Sequence, residues 1–87
     1  MEKIEQCVQD VMVIATAFGG HDPAEAKRRI EILFADADQQ TGGHFVVAQR
    51  LRDRLGLVRN DSHRPAAKQF LDHLIAWLDR EHLGRAR

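Results

Sequence analysis

Apolar residues recur along this chain at three- and four-residue spacing, with no sustained two-residue alternation bounded by turns. That pattern predicts helices and needs no strands. Glycine and proline punctuate it. Gly19-Gly20 and Gly42-Gly43 read as helix stops, because glycine accepts the left-handed backbone that closes a helix. Asp22-Pro23 reads as an N-cap and a first helical residue, and Pro65 as another start, with Ser62 or Asp61 capping from just upstream. Four helices are expected, over residues 2–18, 23–40, 44–55 and 65–83. Residues 56–64 form the longest connection, and 84–87 a frayed tail. The fold class is all-α: one compact bundle domain over residues 1–83, its successive helices antiparallel across short loops.

Advancing about 100° per residue sorts each helix into faces. In the first, Ile4, Cys7, Val8, Val11, Met12, Ile14, Ala15 and Phe18 share a broad apolar face, with Val13 nearly opposite. In the second, Ala26, Ile30, Leu33, Phe34 and Ala37 cluster, while Ile32 points away among Glu25, Arg28, Arg29 and Asp36. Val47, Ala48, Leu51 and Leu55 make a stripe on the third, which His44 joins; Phe45 lies on its edge and Val46 off it. The fourth buries Ala66, Ala67, Phe70, Leu71, Leu74, Ile75, Trp77 and Leu78. Val13, Ile32 and Val46 are therefore left over by the bundle and are candidates, with Phe45, for a partner surface.

With 87 residues the chain has room for one domain, and a chain this short has a thin stability margin. Its net charge is zero, but residues 1–43 hold eight acids and four bases, while residues 44–87 hold five acids and nine bases. Such polarity suits a protein partner or self-association. Arg50, Arg52, Arg54, Arg59, Arg64 and Lys68 form a basic run on the positive half, with Arg50 and Arg54 one turn apart on the solvent side of the third helix. Both join the candidate partner-binding set. A helix-turn-helix reading would put the turn at Thr41–Gly43 and the reading helix at His44–Leu55. Against it stand the acidic Asp36 and Asp38 before the turn, the apolar start Phe45-Val46-Val47, and overall neutrality. Nucleic-acid binding is the alternative reading, and a self-associating structural domain the third.

Several chemistries find no residues. There is no phosphate-binding loop, and each Gly-Gly-His is accounted for by a helix ending before another starts. The five histidines, at positions 21, 44, 63, 73 and 82, give no i,i+4 pair and no zinc spacing. Asp36 and Asp38 imitate the start of a calcium loop, but Thr41 and Val47 occupy the positions where that loop wants glycine and glutamate. Ser62 is the only serine and reads as a cap; Cys7, the only cysteine, reads as a buried structural thiol. No catalytic residue, metal or cofactor is expected. The mixed N-terminus Met1-Glu2-Lys3-Ile4-Glu5 is no export signal, and the uncharged stretch Val11–Gly20 is too short to span a bilayer. A cytoplasmic location and no membrane partner are expected.

One resemblance adds to this. Asp22-Pro23-Ala24-Glu25, an amphipathic helix, then Gly43-His44 followed by Ala48, Leu51, Arg52 and Leu55 resembles the short helical region ahead of the ATPase module in many bacterial AAA-type ATPases. It covers about residues 21–55, and Phe45-Val46-Val47 departs from the more polar start of that region. The resemblance implies a non-catalytic accessory domain that recruits partners or substrates.

Overall fold

Pro23, His44 and Pro65 each begin a helix, where the punctuation of the chain places them. The computed structural model describes residues 2–17, 23–40 and 43–84. The order is α1 (Glu2–Ala17), α2 (Pro23–Gln40), α3 (His44–Asp61) and α4 (Pro65–Trp77), the last running into a π-helical turn, Leu78–His82. Among the described residues there is no strand, and the fold is an all-α bundle of four helices. Phe18, the glycines at 19, 20 and 42, and Asp22 lie outside the described residues. So do the side chains of Ala37 and Asp38.

The core is built from the predicted faces. Val11, Ile30, Leu51, Leu55, Leu71, Leu74 and Leu78 are its largest fully enclosed side chains, and Ala26 and Ala48 sit buried among them. Ala66 departs from expectation: it is exposed, one residue from the buried Ala67. Among the described residues, no polar or charged residue is buried. Ion pairs instead link the helices at the rim: Lys3 with Asp36, Arg29 with Asp10 at 3.8 Å, Arg54 with Glu5 at 2.8 Å, and Arg59 with Asp72 at 2.8 Å. Each has at least one partner more than a third exposed, so each contributes at most about 1 kcal/mol and chiefly fixes orientation. Asp72 and Asp79 thus pair across helices, with Arg59 and Arg52, and not along their own helix.

Two boundaries differ from the sequence reading. The third helix does not stop at Leu55; it continues through Gly56 to Asp61, leaving residues 62–64 as the connection to α4. Nothing in Gly56–Asp61 forbids helix: the segment holds no proline, and Val58 falls on the apolar stripe and packs against the core. Leu57, on the outer side of this extension, is exposed. Ser62 does not cap α4 as expected. The N-cap is Arg64, without a side-chain cap, and the Ser62 Oγ accepts the Arg64 N–H at 3.3 Å within the connection.

Gly56 is therefore a helix-interior glycine with room to spare. A Cβ there would meet only the Arg52 guanidinium, at 3.9 Å. Gly56→Ala is expected to stabilise the fold by about 0.5–1 kcal/mol, read as a higher urea midpoint with an unchanged slope. An unchanged or lower midpoint would mean that α3 does not continue through this position.

The second difference lies at the end of α4. The predicted helix 65–83 is α-helical only to Trp77; the Leu83 N–H then bonds to the Leu78 carbonyl at 2.9 Å, five residues back. Widening the turn has a packing reason. Five residues in an α-helix put side chains on different faces, whereas the i→i+5 turn stacks them. Leu78 and Leu83 are both buried as a result. Gly84 follows at φ 67°, a left-handed exit that a glycine adopts without a steric penalty.

Candidate functional site

The large apolar side chains outside the core stand well clear of it: Val13 is 59% exposed, Ile32 61%, Phe45 56%, Val46 50% and Leu57 56%. Their placement follows from the helix contacts. The Lys3–Asp36 and Asp10–Arg29 pairs set α1 and α2 antiparallel. In that register Ile32 lies across from Gln6 and Cys7, with Val13 on the outer side of α1, about 9 Å further along its axis. Ile32 edges a shallow groove of about 330 Å³ between these helices, rimmed by both ion pairs. Val46 belongs to a different surface. With Arg50, Asp53 and Leu57 it lies within a narrow sector of α3. Phe45 falls on the neighbouring side, in line with Arg52, which reaches Asp79 at 3.2 Å in the π-helical turn.

Of the two arginines in the candidate surface, Arg50 is exposed and makes no ion pair among the described residues. It borders a groove of about 200 Å³ formed with Ile4, Glu5, Asp53 and Arg54. Arg54 is occupied. Its Nη2 donates to Glu5 Oε1 at 2.8 Å. Its buried Nε also lies 2.8 Å from Glu5 Oε2 but is too poorly aligned to count as a hydrogen bond. The short distance makes this a charge contact, and the Nη2 carries the directional bond.

A second cluster was not visible in residue spacing. His44, at the start of α3, and His82, at the end of the π-helical turn, meet with Nε2 and Nδ1 3.0 Å apart. Phe34 of α2 stacks on His44 at 4.7 Å between centroids and lies tilted against His82 at 4.8 Å. Trp77 and His82 meet in a T-shaped contact with centroids 4.7 Å apart, and the Lys27 ammonium sits over the indole at 5.4 Å. Three elements thus converge on one corner. The only sequence signal was that His44 falls on an apolar stripe, and that His82 sits one turn past Leu78. Burial, and next the neighbouring His44, hold His82 below the ordinary imidazole range, while Glu31 and Glu81 pull the other way.

Charge and burial act elsewhere in simple ways. Hydrogen bonding from Arg28, and secondarily the nearby charges of Arg28 and Arg29, keeps the Glu25 carboxyl low in the first turn of α2. Burial pushes the Cys7 thiol up to about 11, with Asp10 adding to the effect. At pH 8 the folded chain therefore holds about 100-fold less thiolate than a thiol of ordinary pKa. Native Cys7 is expected to react with a disulfide reagent at least 10-fold more slowly than in urea. Equal rates would place the thiol at the surface.

Among the described residues, no three His, Cys, Asp or Glu side chains come together in a way that would hold a metal ion. Among them, too, no helix is long and apolar enough to cross a membrane. Comparison with protein-family models, curated proteins and solved structures gave no match.

Proposed function

We propose that this chain is a non-catalytic helical protein-interaction domain, and that its docking surface is the outer ridge of α3 formed by Val46, Arg50 and Leu57. The observation that carries the reading is selective exposure. The chain buries Leu51 and Leu55 completely yet leaves Val46 and Leu57 half or more exposed on the same helix, beside an arginine with no ion pair among the described residues. Exposed apolar side chains flanking Arg50 and Asp53 suit a protein surface that carries an apolar patch with polar groups beside it. Val13 and Ile32, on the outer side of the α1–α2 pair, offer a second contact surface of the same kind.

The basic run supports nucleic-acid binding less well. Arg52, Arg54 and Arg59 are each engaged with Asp79, Glu5 and Asp72, so phosphates would have to displace those carboxylates. Binding of that kind weakens steeply with salt.

The AAA-type resemblance supplies the partner class: the ATPase module that would follow such a region in the same polypeptide, or an ATPase subunit recruited by it. Titration calorimetry of the chain against the ATPase module encoded with or beside it tests this. The double variant Val46→Asp with Leu57→Asp is expected to weaken binding at least 10-fold while leaving the circular dichroism unchanged. Affinity insensitive to both that variant and Ile32→Asp would end the reading.

A further inference from the structure

We propose that the His44–His82 pair is a proton-operated clasp, which seats the π-helical end of α4 on α2 and α3 while carrying at most one added proton, and lets go when a second arrives. The geometry dictates the count. The two ring nitrogens share one hydrogen bond at 3.0 Å, so one must donate and the other accept. With both rings neutral, the bond is an ordinary one. One added proton leaves an acceptor nitrogen in place and makes the bond charge-assisted, hence stronger. A second proton turns both nitrogens into donors, and nothing is left to accept.

The surroundings sharpen that threshold. The ring centroids are 5.1 Å apart, and the pair lies against the faces and edges of Phe34 and Trp77, not in open water. One imidazolium is tolerated beside aromatic rings. Two at this distance repel, so the second proton binds less readily than the first. The charged groups facing the corner come from each packed element. Glu31 of α2 and Glu81 of the turn favour a proton on His82, Lys27 of α2 caps Trp77, and α3 contributes His44 itself. The Arg52–Asp79 pair ties α3 to the same turn.

What the clasp holds is specific. His82 is the last residue of the π-helical turn, and Leu83, whose N–H closes that turn onto Leu78, is buried directly after it. Losing the imidazole bond removes the one side-chain hydrogen bond that, among the described residues, holds His82 to α3. Leu83 and the buried face of Trp77 are the groups then uncovered. Because His82 binds its proton less readily in the folded chain than in the unfolded one, stability falls as pH drops below about 6.5, the ordinary imidazole value.

The test is an NMR titration of the imidazole Cε1–H signals of the full chain from pH 8 to 4.5, with Trp77, the only tryptophan, read in parallel by fluorescence. The His44 and His82 signals are expected to move together in two steps more than one pH unit apart. The lower step is expected to coincide with faster exchange of the Leu83 amide, corrected for intrinsic rate, and a red shift of Trp77 emission. His82→Gln, whose amide still bonds to His44 but takes no proton, is expected to abolish the lower step and the red shift; His44→Gln serves if that variant folds poorly. Burial, then Lys27 and Arg80, also hold His73 below the ordinary imidazole range, so His73→Gln is the control and is expected to preserve both steps. Independent single-step titration of the two rings overturns the proposal. So does a second step that leaves Leu83 and Trp77 unmoved.

Discussion

Leu51→Ala is expected to lower the thermal midpoint by roughly 15–25 °C, the result of losing about 3–4 kcal/mol from a chain of this size. Leu51 is wholly enclosed at the middle of α3, where the buried stripe of that helix meets the common core. Truncation removes both the transfer free energy of its methyl groups and the contacts their neighbours made. The walls close incompletely, because the surrounding structure relaxes only part of the way into the space. A domain of 87 residues has little stability in reserve, so the variant should be substantially unfolded at 37 °C. Ile32→Ala deletes a similar hydrocarbon volume from a 61% exposed site and is expected to cost less than about 0.5 kcal/mol. Calorimetric melting of the two variants side by side checks the assignment of inside and outside. Equal costs would reject it.

Phe34→Ala is expected to cost about 3–4 kcal/mol, and to do more than open a cavity. Phe34 is 3% exposed, and its ring is the common wall for His44 and His82. Removing it strips both imidazoles of their packing and admits water to the bond between them. Phe34→Leu restores most of the volume without the aromatic face, and should recover about half of the loss. Urea unfolding of the three proteins measures the difference. If Leu does no better than Ala, volume is not what the site requires; if Ala costs under 1 kcal/mol, the corner is not packed as described.

Much of the fold was legible because its signals are local. Proline at a first turn and apolar residues at three- and four-residue spacing act within one helix. They placed the starts at Pro23 and Pro65 and nearly all of the core, and the glycine pair before His44 placed the third start. The third helix runs past the expected end at Leu55 for a physical reason. Glycine weakens a helix interior by about 1 kcal/mol, and the packing of Val58 on the core is sufficient to carry the helix past it. The π-helical turn had no signature, since it arises from the demand that Leu78 and Leu83 both face inward. His44 and His82 are 38 positions apart, so no spacing rule pairs them; only the docking of α3 against the end of α4 does. Val13, Ile32 and Val46 were identified as leftover positions and are exposed, but Val46 lies on a different surface from Val13 and Ile32, which a one-dimensional pattern does not encode.

The three-residue connection between α3 and α4 has a consequence for time as well as for shape. Helices joined this closely find each other with little chain entropy to lose, and α3 and α4 share one of the most extensive contacts in the bundle. Such a hairpin can form before the chain's distant ends have met. Bundles with mainly local partners cross their folding barrier in microseconds to milliseconds. A nascent chain emerging from the ribosome at about 5–20 residues per second would therefore complete each hairpin long before the next arrives. The α1–α2 hairpin would consequently hold its core face uncovered for a few seconds, until α3 and α4 emerge and close it, and only then is the apolar ridge of α3 set on a finished core.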